Sequence, residues 1–396
     1  MPTIAVAGTL DTKGSEHAFV AKIIRSLGHR ALLIDVGTHG PSQVEPDVPA
    51  SAICHSFSLP QDRGRCVAEM AQAAPGFVLA MADRGEIDGI ISLGGGGGTS
   101  IASAIMRALP LGFPKVLVST LASGNTSPYV GISDIVMVPA IVDVSGLNSI
   151  SRRIFTAAAH AVCAMSEART SETSRDCGAP LIVASMFGNT TNCVDTAREL
   201  FTGAGFEVLV FHATGTGGRT LESVIASGVP SAIFDVTTTE IADEIVGGVL
   251  SAGPGRLEAA ATAQAPALIA PGCVDMVNFG PRATVPERFA DRLFYAHNDQ
   301  VTLMRTTPEE NVAIAEFIAA KLNRYAIPPI VALPLGGVSV ISAQGGPFHD
   351  PAGDAALFTT LKTRLRPEIS LIESPHPINH PAFASRCAEA LLAKIR

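Results

Sequence analysis

The chain has 396 residues, 47% of them hydrophobic and 16% charged, and 28 Lys plus Arg against 36 Asp plus Glu give a net charge of −8. That length exceeds one ordinary core and predicts two domains, while the acidic balance without any basic block argues against DNA as a partner. The opening "MPTIAVAGTLDTKG" lacks a basic n-region, no apolar run is long enough to span a membrane, and seven scattered cysteines include no CxxC pair, which predicts a cytoplasmic protein with reduced thiols and no membrane association.

Short β-branched runs alternate with amphipathic stretches. "TIAVAG" (3–8) reads as a buried strand, 15–27 as a helix ended by Gly28, and 31–37 as a second strand. A helix over 62–84, a strand over 87–94, a helix from Thr99 to about Leu109 and a strand over 115–120 follow. A periodic segment over 147–168 leads into "SEARTSETSRDCGAP" (166–180), read as a linker, after which the pattern restarts at "LIVASMFG". Such alternation predicts parallel sheets with helices on both faces. The fold class is therefore α/β, with two doubly wound (Rossmann-like) open-sheet domains, 1–175 and 176–396, and an inter-domain cleft. Residues 7–40 can be laid beside 187–218, matching Asp35 to His212 and Gly40 to Gly217. An internal repeat and the general likeness of βαβ units both account for this.

The turns after the strands carry the chemistry. "ISLGGGGGTS" sets Gly94, Gly95, Gly96, Gly97 and Gly98 between a strand and a helix. There the unpaired first-turn amides and the helix dipole suit an anion, and absent side chains let a phosphate approach, with Thr99 adding a hydroxyl or a cap. A flexible turn or tight packing is the structural alternative. "GTLDTKGSE" (8–16) offers Thr9, Asp11, Thr12 and Lys13. Lysine suits phosphate and aspartate suits hydrated Mg2+, while Asp11 and Thr12 also suit simple capping. Asp35 ends the second strand, where an acid commonly accepts from ribose hydroxyls, and Ser123, Gly124 and Asn125 form a further polar turn. Together these turns describe a nucleotide-sized site, although neither GxxxxGK[ST] nor GxGxxG is present.

"GTLDTKG", "GGGGGT", "SGN", "PGCVDMVNFG" and "HNDQVTLMRTTPEE" together resemble the uncharacterised family that includes the inhibitor domain of the tomato mosaic virus resistance protein, over essentially the whole chain. The resemblance implies two Rossmann-like subdomains, ATP bound by the first and a homodimer. Some members are fused to a TIM-barrel-like domain, which implies a barrel protein as a partner here. By motif match, the ATP site comprises Gly8, Thr9, Asp11, Thr12 and Lys13 with Gly94 to Thr99, and Asp11 is the candidate for Mg2+.

In the second half, "YAHNDQVTLMRTTPEE" sets His297 before a short, apparently parallel strand and Arg305 after it, ahead of a helix capped by Thr306 or Thr307. "APGCVDMVNFG" offers Asp275 and, as a nucleophile without a visible base, Cys273. His297, Arg305 and Asp275 suit binding and proton transfer on a small anionic metabolite, and purely structural hydrogen bonding accounts for them equally. "GTGG" (215–218) is a candidate second anion site. Two functions stay open: an ATP-using enzyme acting on such a metabolite in the cleft, and a non-catalytic ATP-binding dimeric module with a partner-binding face.

Overall fold

The first five apolar runs form parallel strands β1 (Thr3–Gly8), β2 (Arg30–Asp35), β3 (Gly89–Gly94), β4 (Lys115–Ser119) and β5 (Val136–Pro139), in the order β2-β1-β3-β4-β5. The computed structural model describes residues 1–55, 62–172 and 178–395. Along β1, Ile4 and Val6 face one core and Ala5 and Ala7 the other. Both faces are covered, and the strand reads as a continuous apolar run for that reason. Helices α1 (Leu10–Ser26) and α6 (Ser149–Glu172) cover one face through Val20, Ile24, Phe155 and Val162. On the other face lie α3 (Arg63–Asp83) and α4 (Gly96–Ala108), which contribute Met70, Val78, Ile101 and Ile105. One-turn helices α2 (Ala50–Ile53) and α5 (Ser127–Val130) complete this unit.

The second unit has a six-stranded parallel sheet of β6 (Leu181–Met186), β7 (Glu207–His212), β8 (Ala232–Thr237), β9 (Ala267–Gly272), β13 (Ile330–Pro334) and β14 (Ser370–Ser374). Its order is β7-β6-β8-β9-β13-β14, so its first five strands repeat the pairing of the first sheet. The likeness between 7–40 and 187–218 thus extends to topology. Helices α7 (Thr191–Gly203) and α12 (Pro381–Ile395) cover one face; α8 (Thr216–Ala226), α9 (Thr239–Val246), α10 (Pro308–Leu322) and α11 (Pro351–Arg364) cover the other. A separate antiparallel sheet, β10-β12-β11, is built from β10 (Met276–Phe279), β11 (Phe294–Asn298) and β12 (Val301–Arg305).

The chain divides into compact units Met1–Asp176 and Cys177–Arg396. Three boundaries differ from expectation by three residues or more. Helix α6 runs on to Glu172, into the first half of the polar stretch read as linker; within the remainder, 173–177 lie outside the described residues. Helix α1 begins at Leu10 and not at 15, because Thr12 and Lys13 both donate their amides to the Thr9 carbonyl. Helix α4 begins at Gly96 and not at Thr99, so three of the five glycines form its first turn. No helix among the described residues is long and apolar enough to cross a membrane.

Candidate functional site

In the first sheet β1 pairs with β2 on one side and β3 on the other. Strand order reverses there, and the connections leaving β1 and β3 diverge from the carboxyl edge, the usual place for a ligand in an open α/β sheet. A cavity of about 300 Å³ lies at that point. Thr9, Asp11, Thr12 and Lys13 from the start of α1 line it, together with Gly95, Gly96, Gly97 and Gly98 from the start of α4. The structure thus gathers two turns some 85 residues apart in sequence.

The glycines divide by what holds them. A Cβ on Gly94 would lie 2.6 Å from the Thr99 amide nitrogen, so that position is fixed by packing. On Gly96 it would meet nothing within 4 Å, on Gly97 only Val67 at 3.5 Å, and on Gly98 nothing nearer than 3.7 Å. None of Gly95 to Gly98 has positive φ. Neither packing nor backbone conformation requires glycine at these places, and each glycine within the helix costs about 0.5–1 kcal/mol relative to alanine. What they provide is a bare helix N-terminus whose first-turn amides have no intrahelical partner.

The α1 side is more constrained. Asp11 accepts the amides of Thr38 (3.1 Å) and His39 (2.8 Å) on Oδ2, while its buried Oδ1 has no hydrogen-bond partner among the described residues. Lys13 breaks the helical backbone (φ −133°, ψ 30°) and its ammonium donates to the Val144 carbonyl. Thr38, His39, Arg63 and Asp143 complete the lining. Sequence reading missed these four because no motif surrounds them: Thr38, His39 and Asp143 lie in irregular segments and Arg63 opens α3.

Several expected ligands prove structural. Asp35 is buried and its Oδ1 accepts the amides of Leu10 (3.1 Å) and Gly37 (2.8 Å), tying the β1 turn to the β2 turn rather than meeting a ribose. Thr99 is 0% exposed, and its hydroxyl meets Ser119 Oγ at 2.6 Å, inside the unit. A Cβ on Gly8 would lie 1.9 Å from His17 Nε2, so Gly8 makes room for that ring. Ser123, Gly124 and Asn125 are exposed and do not line the cavity; Asn125 instead accepts from Ser127.

His17, which sequence reading passed over, holds the two turns in place. Its Nδ1 donates to the Lys13 carbonyl (2.7 Å) and its Nε2 accepts the Leu93 amide (3.3 Å), a pattern that needs the neutral ring. Burial lowers its pKa from 6.5 to about 4, against the Lys13 carbonyl bond that favours the charged form. The unfolded chain takes up this proton near pH 6.5 and the folded chain only near 4. Stability of the first unit should therefore be complete above that window and fall as pH drops through it, by about 3 kcal/mol. Urea unfolding between these limits checks this: His17→Gln should flatten the slope, and an unchanged slope would assign it elsewhere.

The second unit brings together two of the expected catalytic trio, Arg305 donating to the Asp275 carbonyl (3.3 Å), and leaves His297 apart. Strand β12 is antiparallel to both neighbours, which puts His297 near one end and Arg305 at the other, about 13 Å apart along the strand. His297 is exposed, whereas Arg305 is buried in an ion pair with Asp354 (2.8 Å) and a bond to the Phe348 carbonyl (2.9 Å). Asp275 is 0% exposed and accepts from Ser339 Oγ at 2.8 Å; burial pushes its carboxyl up to about 6. Cys273 is also fully buried, and that burial pushes its thiol well above the ordinary value, away from the nucleophilic thiolate.

"GTGG" is filled from within. Glu240 Oε1 accepts the amides of Gly215 (2.6 Å) and Gly218 (2.9 Å) at the start of α8, so an internal carboxylate occupies the anion position. Here, unlike in the first unit, packing requires the glycines. A Cβ would lie 1.9 Å from Glu240 on Gly218 and 1.8 Å from the His212 carbonyl on Gly217, and Gly215 has φ +82°. Glu240 is held in turn by fully buried Arg256 (2.9 Å), which also pairs with both oxygens of Asp235 (2.6 and 2.8 Å) and with Glu222 (3.0 Å).

Family models for the N-terminal and C-terminal domains of an uncharacterised protein family (UPF0261) match residues 2–171 and 179–395. A UPF0261 protein of Clostridium tetani is 47% identical over 397 residues, covering 98% of each chain. The ToMV resistance protein Tm-1(GCR237) of Solanum lycopersicum is 37% identical over 420 residues, covering 99% of this chain and 55% of its own length. Among solved structures, UDP-N-acetylglucosamine 2-epimerase from Rickettsia bellii aligns over 99% of this chain and 96% of its own, at 12% identity and a TM-score of 0.24, too low to carry an argument. The doubly wound units, the two matched domain models and the full-length relatives agree: the chain belongs to the UPF0261 family.

Proposed function

We propose that the first unit binds ATP, as its magnesium complex, with the phosphates against the first turn of α4. The observation that carries this reading is the run Gly95 to Gly98, bare of side chains where neither packing nor φ asks for glycine. Amides at a helix start, with half a positive charge from the dipole, suit a phosphate that approaches closely. Lys13 and Arg63 supply positive charge at the rim, and the Thr9 hydroxyl, which accepts from Thr12, supplies a donor. Asp11 suits the cation, since one oxygen is held by loop amides and the other is buried with no partner among the described residues. Among the described residues no group of three or more His, Cys, Asp or Glu makes a metal site. A magnesium ion here therefore takes its remaining ligands from phosphate oxygens and water, its usual habit with nucleotides.

The separation of exposed His297 from buried Arg305 and Asp275, which contact each other, favours the module over the enzyme, with nucleotide bound and recovered intact. Lys13→Ala should weaken ATP roughly tenfold in calorimetric titration and leave adenosine almost unchanged, because the ammonium acts on phosphate as a point charge. An equal loss for both ligands would make Lys13 only an anchor for Val144.

A further inference from the structure

We propose that the second unit carries a ligand site of its own, for a small uncharged molecule with a flat aromatic or heteroaromatic ring. A cavity of about 410 Å³, within the range of small-molecule sites, opens beyond the carboxyl ends of β6 and β7. Met186 and His212 end these strands as register partners, and the chain beyond each turns into the cavity wall. Phe187 and His212 form one side, with ring centroids 5.5 Å apart and planes tilted by 37°. Leu250, Val301 and Leu303 supply the apolar remainder. Two aromatic faces beside aliphatic side chains suit a ring, which stacks on one and meets the other edge-on.

Polar groups are few and placed to orient such a ring. Asn298 lines the cavity, and its Oδ1 accepts the Gln300 amide (2.8 Å), which leaves its amide nitrogen as the donor. Asn189 is anchored through its backbone carbonyl by Asn379 (2.8 Å), and its Oδ1 has no hydrogen-bond partner among the described residues. One carboxamide thus offers donors and the other an acceptor, the complement of an amide or a ring nitrogen with its N–H.

The absence of charge sets the ligand class. Among the described lining residues there is no carboxylate, ammonium or guanidinium group, and the imidazoles of His212 and His297 are the titratable side chains. The positive end of α8, which follows Thr214 of the lining, is already neutralised by Glu240. With both imidazoles neutral, as above about pH 8, an anion entering here would lose hydration with no full charge to compensate it, a cost a neutral ring avoids. The second unit thus reverses the charge expected of its ligand.

Benzamide and its charged isostere benzoate test this by saturation-transfer NMR on the full chain at about pH 8.5, where histidine is neutral. Benzamide should receive saturation from the protein at concentrations up to about 10 mM, and benzoate should bind at least roughly tenfold more weakly. Val301→Trp, which fills the cavity, should abolish the benzamide signal. His212→Ala, at an exposed position that folding does not need, should weaken it. Gly96→Val in the first unit should leave it unchanged. Equal binding of benzoate, no benzamide signal, a signal that survives both second-unit substitutions, or a signal lost in Gly96→Val would each overturn the proposal.

Discussion

Gly96→Val should lower the affinity for ATP by at least about 100-fold, roughly 2.7 kcal/mol, with little change in the unfolding midpoint. The two halves of this expectation come from one geometry. A Cβ on Gly96 meets no protein atom within 4 Å, and the residue has no positive φ, so the folded chain accommodates valine. Helix propensities of Gly and Val differ by less than about 1 kcal/mol, in favour of Val. The space the side chain takes is the space a phosphate needs beside the α4 amides. Gly94→Ala is the contrasting control: its Cβ would lie 2.6 Å from the Thr99 nitrogen, so stability should fall first. Calorimetric titration beside urea unfolding of each variant separates the cases. An affinity unchanged in folded Gly96→Val would remove the phosphate from this turn.

Arg256→Met should destabilise the second unit by about 3–5 kcal/mol or more, the usual cost of leaving a buried charge without its partner. Burial works against the Arg256 charge, and the carboxylates of Asp235, Glu222 and Glu240 outweigh it. Without the guanidinium, Asp235 and Glu240, both within 1% of full burial, are left facing each other in a dry interior. Burial already raises the Glu240 carboxyl, and removal of Arg256 takes away the charge opposing that rise. Protonation then becomes the remaining relief. Acidifying the variant from about pH 7 to about pH 5 should recover part of the loss. Urea unfolding followed at both pH values provides the measurement; a variant as stable as the parent at pH 7 would make the cluster dispensable.

Much of the architecture was legible because a parallel strand covered on both faces leaves an unbroken apolar run, as in "TIAVAG" and "GIISLG", and glycines punctuate the turns. Short antiparallel β12 was misread because five residues, "VTLMR", carry no sign of strand direction. On the site, pattern reading found the two turns at the reversal of strand order, since a run of glycines is costly wherever it is not used. It could not separate ligand from support. Asp11, a candidate ligand, and Asp35 look alike in sequence, yet Asp11 has a buried oxygen with no partner among the described residues and Asp35 accepts two amides on its Oδ1. "GGGGG" and "GTGG" look alike too, and only the structure brings Glu240, 25 residues away from Gly215, into the second of them. His17 escaped notice because a lone histidine on an apolar helix face carries no motif.

The central claim is that phosphates lie on the first turn of α4, and crystals soaked with ATP and magnesium test it most directly. The account predicts triphosphate density within hydrogen-bond reach of the Gly96 to Gly98 amides, with a magnesium ion beside Asp11 Oδ1 and the Lys13 and Arg63 side chains turned toward the phosphates. Nucleotide bound anywhere else on the chain, or that turn left empty at a concentration where calorimetry reports saturation, would contradict it.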